Sequence, residues 1–161
     1  MKVYFSLGSN LGDRVQNLRR ALTLIDLEGI RILRTSSFYE TAPVKVPKQP
    51  WFMNCVAEGR ARLSPPGLLK LVQGIERNMG RDRRRSKGPR MIDIDILLFG
   101  DTVLQTPKLT IPHQRIGGRR FVLIPLCELS EGLRHPVTQR TVRDMLACTH
   151  DRSPVIWCCR G

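Results

Sequence analysis

The chain has no apolar run near the roughly 18 residues a helix needs to cross a bilayer. Its N-terminus, MKVYFSLGSN, carries one Lys and an interrupted apolar stretch too short for a signal peptide, so a cytoplasmic protein is expected. It has no C-x-x-C pair, and its cysteines number an odd five: Cys55, Cys127, Cys148, Cys158 and Cys159. A disulfide framework is not expected from such a set. The adjacent Cys158 and Cys159 read as free thiols on a tail, with a metal or redox feature as the alternative. There is no internal repeat and no low-complexity linker. Neither G-x-x-x-x-G-K-[ST] nor a G-x-G-x-x-G after a strand occurs. Gly8-Ser-Asn-Leu-Gly12 stands where an anion nest would, but without either spacing, and reads as a tight turn. Any phosphate transfer here must therefore rely on cations and metals. Acidic residues are scarce, 14 against 27 Lys plus Arg, which leaves a formal charge of +13. That surplus favours anionic partners without choosing among nucleic acid, phosphorylated metabolites and membrane surfaces.

What is present fits one folded unit. The 161 residues, 41% hydrophobic and 25% charged, suit a single domain with one core, spanning 1–161. Residues 2–7 read as a strand ended by Gly8. Asp13 with Gln16 has the form of a capping box, and Val15, Leu18, Leu22 and Ile25 follow at helical spacing. Ile30 to Tyr39, rich in branched and aromatic residues, reads as one strand, and the three prolines of 41–50 mark a loop. From Trp51 to Leu63 the pattern alternates, with Met53, Cys55, Ala57, Ala61 and Leu63 on one face and Phe52, Asn54, Val56 and Glu58 on the other. Ser64-Pro-Pro opens a second helix whose buried stripe is Leu68, Val72, Ile75 and Met79, stopped by Gly80. Met91–Phe99 is the clearest strand, followed by a tight turn and a short strand at 102–105. The order β-α-β-β-α-β predicts an α+β, ferredoxin-like core, an antiparallel sheet with both helices on one face. Two helices are predicted after it, within 118–129 and around 141–149. The core is expected to end near residue 130, with 131–161 as an extension.

The chemistry concentrates in Met91–Phe99. On a strand, Ile92, Ile94, Ile96 and Leu98 point one way, and Asp93 and Asp95, with Leu97 and Phe99, point the other. Two carboxylates about 6.6 Å apart on one face repel unless something positive lies between them. Magnesium fits, because it is usually held by one or two carboxylates plus substrate phosphates. An ordinary amphipathic strand with both carboxylates in solvent remains the alternative. Just upstream, residues 80–90 hold six cations (Arg81, Arg83, Arg84, Arg85, Lys87 and Arg90) and one anion. The segment suits a phosphate-gripping loop, and equally a solvated charge run or nucleic-acid patch. His113 follows a proline in a loop, with Arg115, Arg119 and Arg120 close behind it.

Five blocks together carry a resemblance. They are Phe5-Ser-Leu-Gly-Ser-Asn-Leu-Gly12, Ser37-Phe-Tyr-Glu-Thr-Ala-Pro43, Gln49-Pro-Trp-Phe-Met-Asn54, Gly88-Pro-Arg-Met-Ile-Asp-Ile-Asp-Ile96 and Leu109-Thr-Ile-Pro-His113. In this order, over residues 3 to about 130, they resemble the 6-hydroxymethyl-7,8-dihydropterin pyrophosphokinases. The resemblance implies a three-layer α-β-α fold and an ATP-dependent diphosphotransferase of folate synthesis that yields AMP and the pterin diphosphate. It implies two Mg2+ ions on Asp93 and Asp95, with ATP as co-substrate. It assigns catalytic positions to Asp95, Arg81, Arg90 and His113. Nucleotide contacts are implied for Gln73, Glu76, Arg83, Lys87, Arg90, Ile96, Lys108, Leu109, Thr110, His113, Gln114 and Arg119. Pterin contacts are implied for Thr41, Ala42, Pro43, Val44, Phe52, Asn54 and Phe121. A flat, amide-like ring suits an aromatic sandwich of Phe52 and Phe121 with an Asn edge.

The chain departs from the family pattern in places. Lys87 stands where a Trp often precedes Gly-Pro-Arg, Gln114 where a Tyr follows Pro-His, and Phe52 where a Tyr is common. The basic loop is one residue shorter than in some members, so Arg83, Arg84 and Arg85 have no single counterparts. Loops 41–50 and 80–90 are expected to close over both substrates and exclude water. The expected partners are small molecules only, with no nucleic acid and no membrane, and the protein is expected to be a monomer. The rival reading is a basic, non-catalytic nucleic-acid module on the same kind of sheet. It lacks the aromatic RNA-reading block, and its exposed aspartates would repel phosphates.

Overall fold

The computed structural model describes residues 1–43, 48–80 and 88–161. Val44, Arg81, Arg83, Arg84, Arg85 and Lys87, and with them the central parts of the two loops expected to close, lie outside the described residues.

The elements are β1 (Lys2–Ser9), α1 (Arg14–Leu27), β2 (Arg31–Thr35), β3 (Phe38–Thr41), β4 (Phe52–Arg60), α2 (Pro65–Asn78), β5 (Asp93–Phe99), β6 (Leu104–Gln105), β7 (Thr110–Ile111), α3 (Arg120–Ser130), α4 (Val142–Cys148) and β8 (Val155–Cys159). The helices start where local chemistry allows. Asp13 accepts the Gln16 amide at the start of α1, and Ser64 accepts that of Gly67 ahead of Pro65 and Pro66 in α2. The reciprocal capping box is complete at α4, where Thr141 and Asp144 satisfy each other's backbone N–H. Gly29 and Gly80 follow α1 and α2 at φ of 91° and 87°, a left-handed conformation that favours glycine.

The large sheet runs β5-β1-β4-β3-β8, with β2 also paired to β4. Its pairings are antiparallel throughout. One face buries Val3, Phe5, Leu7, Cys55, Ala57, Ile94 and Ile96 against Leu18, Ala21 and Ile25 of α1 and Leu68, Val72 and Ile75 of α2. The opposite face carries Tyr4, Val56, Leu97 and Leu98 beneath Val122, Leu123 and Leu126 of α3 and Val142 and Met145 of α4. The chain is thus the expected α+β, ferredoxin-like core with a further helical layer, an α-β-α stack.

Three details differ from the sequence reading. The strand expected over 30–39 is two strands broken at Ser36-Ser37. Buried Ser36 satisfies the neighbouring strand with its side chain, since its Oγ accepts the Val56 N–H at 2.9 Å. Second, β5 bulges at Leu97. Phe5 pairs with Ile96 and Tyr4 with Leu98, so Leu97 is the extra residue. The bulge exchanges the faces of the last two residues: Leu98 joins the α3–α4 side and Phe99 the α1–α2 side. Third, the supposed cysteine tail is β8, an edge strand on β3.

Buried ion pairs and clamps fix the layers. Glu58, 3% exposed, accepts from Lys2 at 2.9 Å and from Arg34 Nε at 3.0 Å. Glu128 of α3 accepts from the Ser37 N–H, the Ser37 hydroxyl and the Tyr39 hydroxyl, tying the outer helical layer to β3. Burial, then that carboxylate, pushes the Tyr39 phenol up to about 12. Among the described residues, no helix is long and apolar enough to cross a membrane.

The two-sided core sets a contrast. Leu18 is fully buried and Leu27, on the same helix, is 76% exposed. Urea denaturation should show Leu18→Ala destabilised by about 2–5 kcal/mol, and Leu27→Ala within about 0.5 kcal/mol of the parent.

Candidate active site

Helices α3 and α4 cover only part of their sheet face. They sit over Tyr4, Val56 and Leu98, and leave the C-terminal end of β1 open. Strand register then dictates what lies on the open part. Gly8 is paired with Asn54 on one side and Asp93 on the other, while Ser6 is paired with Val56 and Asp95. Tyr39 extends the first row beyond Asn54. Asn54, Gly8 and Asp93 therefore stand side by side, with Asp95 one row deeper. Gly8 is required at its place. A Cβ there would meet Asn54 Oδ1 at 2.6 Å.

One cavity opens on this face, and a second reaches round β5 to α2. The first, of about 620 Å³, is lined by Ser6, Gly8, Thr41, Ala42, Phe52, Asn54, Gly118 and Phe121. The other, of about 650 Å³, is lined by Leu69, Val72, Gln73, Glu76, Ile94, Ile96, Thr106, Pro107, Lys108, Leu109, Thr110 and His113. Arg90, Asp93, Asp95, Gln114, Arg115 and Arg119 line both. The described residues assigned to pterin thus group in the first cavity, Pro43 excepted, and those assigned to nucleotide in the second. The carboxylate pair stands where the two meet.

Two arginines and a histidine stand beside that pair. Arg90 Nη1 is 2.8 Å from Asp93 Oδ2. Arg119 Nη1 is 3.5 Å and His113 Nε2 3.8 Å from Asp95 Oδ2. Asn10 positions Arg90: its Oδ1 accepts the Arg90 N–H at 2.8 Å, and its N–H donates to the Arg90 carbonyl at 3.1 Å. The same Asn10 amide donates to Gln49 Oε1 and the Pro50 carbonyl, binding the 48–50 segment to the site. Arg90 lies over the Phe52 ring, 5.8 Å from its centre, and Arg119 over the Phe121 ring at 5.5 Å. Asn54 Nδ2 donates to Thr41 Oγ1 at 2.6 Å, which fixes the orientation of its amide.

Glu76 contributes differently from a surface ligand. It is 2% exposed, and its Oε1 accepts the Ile94 N–H at 2.9 Å. β5 is an edge strand, so this bond from α2 holds the outward N–H of the residue between Asp93 and Asp95. The residues that sequence reasoning left out of the site are Ser6, Gly8, Leu69, Val72, Ile94, Thr106, Pro107, Arg115 and Gly118. Arg115 is the most consequential, since it lines both cavities. The cluster of arginines behind His113 was its signal.

His113 is neutral at ordinary pH. Burial, then the charges of Arg119 and Arg115, lowers its pKa from 6.5 to about 4. Its Nδ1 accepts the Arg115 N–H at 3.1 Å, so the ring proton sits on Nε2, the atom nearest Asp95. The unfolded chain binds this proton more readily than the folded one. The resulting stability is complete above pH 6.5 and fades as pH falls toward 4. NMR titration of the ligand-free protein should give the His113 ring a midpoint near 4, with Nε2 protonated above it; a midpoint near 6.5 would contradict this environment.

Comparisons with known proteins agree with the geometry. Residues 4–131 match the family model described as 7,8-dihydro-6-hydroxymethylpterin-pyrophosphokinase (HPPK). The chain is 44% identical over 144 residues to the folic acid synthesis protein fol1 of Schizosaccharomyces pombe, covering 89% of this chain and 20% of that one. It is 42% identical over 137 residues to the 2-amino-4-hydroxy-6-hydroxymethyldihydropteridine pyrophosphokinase of Haemophilus influenzae, covering 84% of this chain and 86% of that one. The chain therefore spans about a fifth of the fungal relative and most of the bacterial one. Among solved structures, wild-type Plasmodium falciparum HPPK-DHPS with pteroate shares the fold at a TM-score of 0.73 and 17% identity, over 91% of this chain and 42% of that one. With the sheet, the paired cavities and the matched residues in agreement, the chain belongs to the 7,8-dihydro-6-hydroxymethylpterin-pyrophosphokinase family.

Proposed function

We propose that the protein transfers the pyrophosphoryl group of ATP to the hydroxymethyl group of 6-hydroxymethyl-7,8-dihydropterin, giving AMP and the pterin diphosphate for folate synthesis. The observation that carries this reading is the pair of cavities meeting at Asp93 and Asp95. A two-substrate displacement needs its reactants on either side of one charged junction.

In the first cavity, Phe52 and Phe121 offer aromatic faces and Asn54 a hydrogen-bonding edge to a flat heterocycle. Thr41 holds the Asn54 amide in register, and Gly8 leaves room beside it. In the second cavity, Gln73, Lys108, Leu109, Thr110 and Ile96 line the nucleotide site, and Glu76 supports the carboxylate strand from behind. Arg90, Arg115 and Arg119 border both spaces and grip the phosphate oxygens. Neutral His113 donates its Nε2–H to a phosphate oxygen without adding charge. Arg81, Arg83, Lys87 and Val44 belong to the same reading through the family resemblance.

The donors at the junction suit magnesium. Asp93 and Asp95 are hard oxygen ligands, with side chains 28% and 38% exposed. Among the described residues, no group of three or more His, Cys, Asp or Glu forms a closed metal cage. Two carboxylates that leave positions for water and phosphate are the usual setting for this ion. Two Mg2+ ions held by Asp93 and Asp95 would supply charge neutralisation to the triphosphate. In the displacement, the pterin hydroxyl oxygen bonds to the β-phosphorus, the bond from that phosphorus to the α–β bridging oxygen breaks, and AMP departs with the electron pair. Asp95 orients the hydroxyl and accepts its proton. Arg90 and Arg119, now on the carboxylates, turn toward phosphate when substrates and metal arrive.

In this reading the protein is a monomeric enzyme acting on small molecules in the cytoplasm. A nucleic-acid module gains no support from the described face, which carries two carboxylates beside its cavities.

The purified protein with ATP, magnesium and the pterin alcohol should release AMP in a one-to-one ratio with pterin diphosphate. Asp93→Asn and Asp95→Asn should each lose several orders of magnitude in turnover with the fold intact by circular dichroism. ADP as the product, or wild-type rates in both variants, would end this reading. Gly8→Ala places a methyl group against Asn54. It should raise KM for the pterin roughly ten-fold, in line with the ~1–3 kcal/mol typical of overpacking, and leave KM for ATP unchanged.

A further inference from the structure

Cys158 and Cys159 stand on β8, beyond residues 4–131 that match the family model. Neighbours on a regular strand point to opposite faces. Here the ladder with β3 is irregular. Tyr39 is paired with Trp157 and Phe38 with Cys159, so Cys158 is an extra residue without a partner across the strand. Such a bulge lets two successive side chains share a face.

Their surroundings agree. Tyr39 donates its hydroxyl to Glu128 of α3, so Tyr39 and the paired Trp157 look toward that layer. Cys159 instead packs on the core beneath α1 and α2. Cys158 feels the charges of Glu40 and Arg14, which form an ion pair at 2.8 Å at the start of α1, and burial, then the neighbouring Cys159 thiol, hold its own thiol above the usual range. Both thiols therefore lie together on the α1 side. Cys158 is exposed, Cys159 is half-buried, and β8 ends the order of the sheet, so reagents can reach the pair. Of the other cysteines, Cys55 is buried in the core, while Cys127 belongs to α3 and Cys148 to α4.

We propose that Cys158 and Cys159 form a vicinal dithiol site that binds a soft, thiophilic centre through both sulfurs, with trivalent arsenicals as the ligand class. Sulfur ligands select soft centres, and a chelate of two adjacent thiols outlasts a single one. The step balances without a redox change. Two S–H bonds break, two S–As bonds form, and the oxygen of R–As=O leaves with both protons as water.

Phenylarsine oxide is the probe, added to the full-length folded protein and read by intact mass. The wild-type protein should gain one phenylarsenic bridge with loss of two hydrogens, reversed by a competing dithiol. Cys158→Ser and Cys159→Ser should each lose the bridged adduct, and a Cys127→Ser/Cys148→Ser double variant should keep it. Peptide mapping of the labelled wild-type protein should place the bridge on the fragment containing both cysteines, a result that needs no variant to fold. A wild-type protein that forms no bridge, a bridge that survives in Cys158→Ser, or one mapped to any other cysteine would overturn the assignment.

Discussion

Two carboxylates placed on one face of a strand must have their charge balanced, and much of this site is the answer to that demand. Asp93 and Asp95 stand where two cavities meet, and neither is left in a bare apolar surface. Arg90 reaches Asp93 from three residues upstream, and Arg119 reaches Asp95 from the start of α3. Each arginine also lies over a phenylalanine that borders the first cavity. The cations that balance the carboxylates in the ligand-free protein are thus those that face phosphate in the proposed reaction. His113 stays neutral because burial and the positive charges of Arg119 and Arg115 oppose its protonation. It offers a hydrogen bond where a further cation would be repelled.

Support for this junction comes also from residues outside the carboxylate pair. Asn10 holds Arg90 by backbone and side chain while also holding the Pro50 carbonyl. Glu76 occupies the outward N–H of Ile94, so the carboxylate strand is secured on the side where, among the described residues, no further strand pairs with it. A buried carboxylate used in this way sets the position of two exposed ones. The local architecture therefore has an order of dependence: sheet register first, then these polar anchors, then the charges that would meet substrate.

Much of this arrangement was legible from local pattern, and the rest depended on pairing. The alternation along Phe52–Arg60 and the acids of Asp93–Asp95 assigned faces correctly, because side-chain period is a local property. The phase slip at Leu97 was not legible, since a bulge is defined by the partner strand. The break at Ser36 was hidden among β-forming neighbours, and its cause is a side-chain bond to Val56, far along the chain. β8 reads as a tail in the sequence because an edge strand gains its stability from a neighbour 114 residues away, as Val155 does opposite Thr41. The grouping of site residues came from the family resemblance, whereas the place of Gly8 between Asn54 and Asp93 emerges only when the strands are set side by side.

Glu128 has one more implication. Its carboxylate gathers three donors from Ser37 and Tyr39. The helix that carries Phe121 is thereby bolted to a strand of the same sheet that carries Phe52. The two rings that border the first cavity are thus carried on joined elements. In the proposed reaction, a mount of this kind favours planar bicyclic rings over analogues bearing a group that projects above the ring plane.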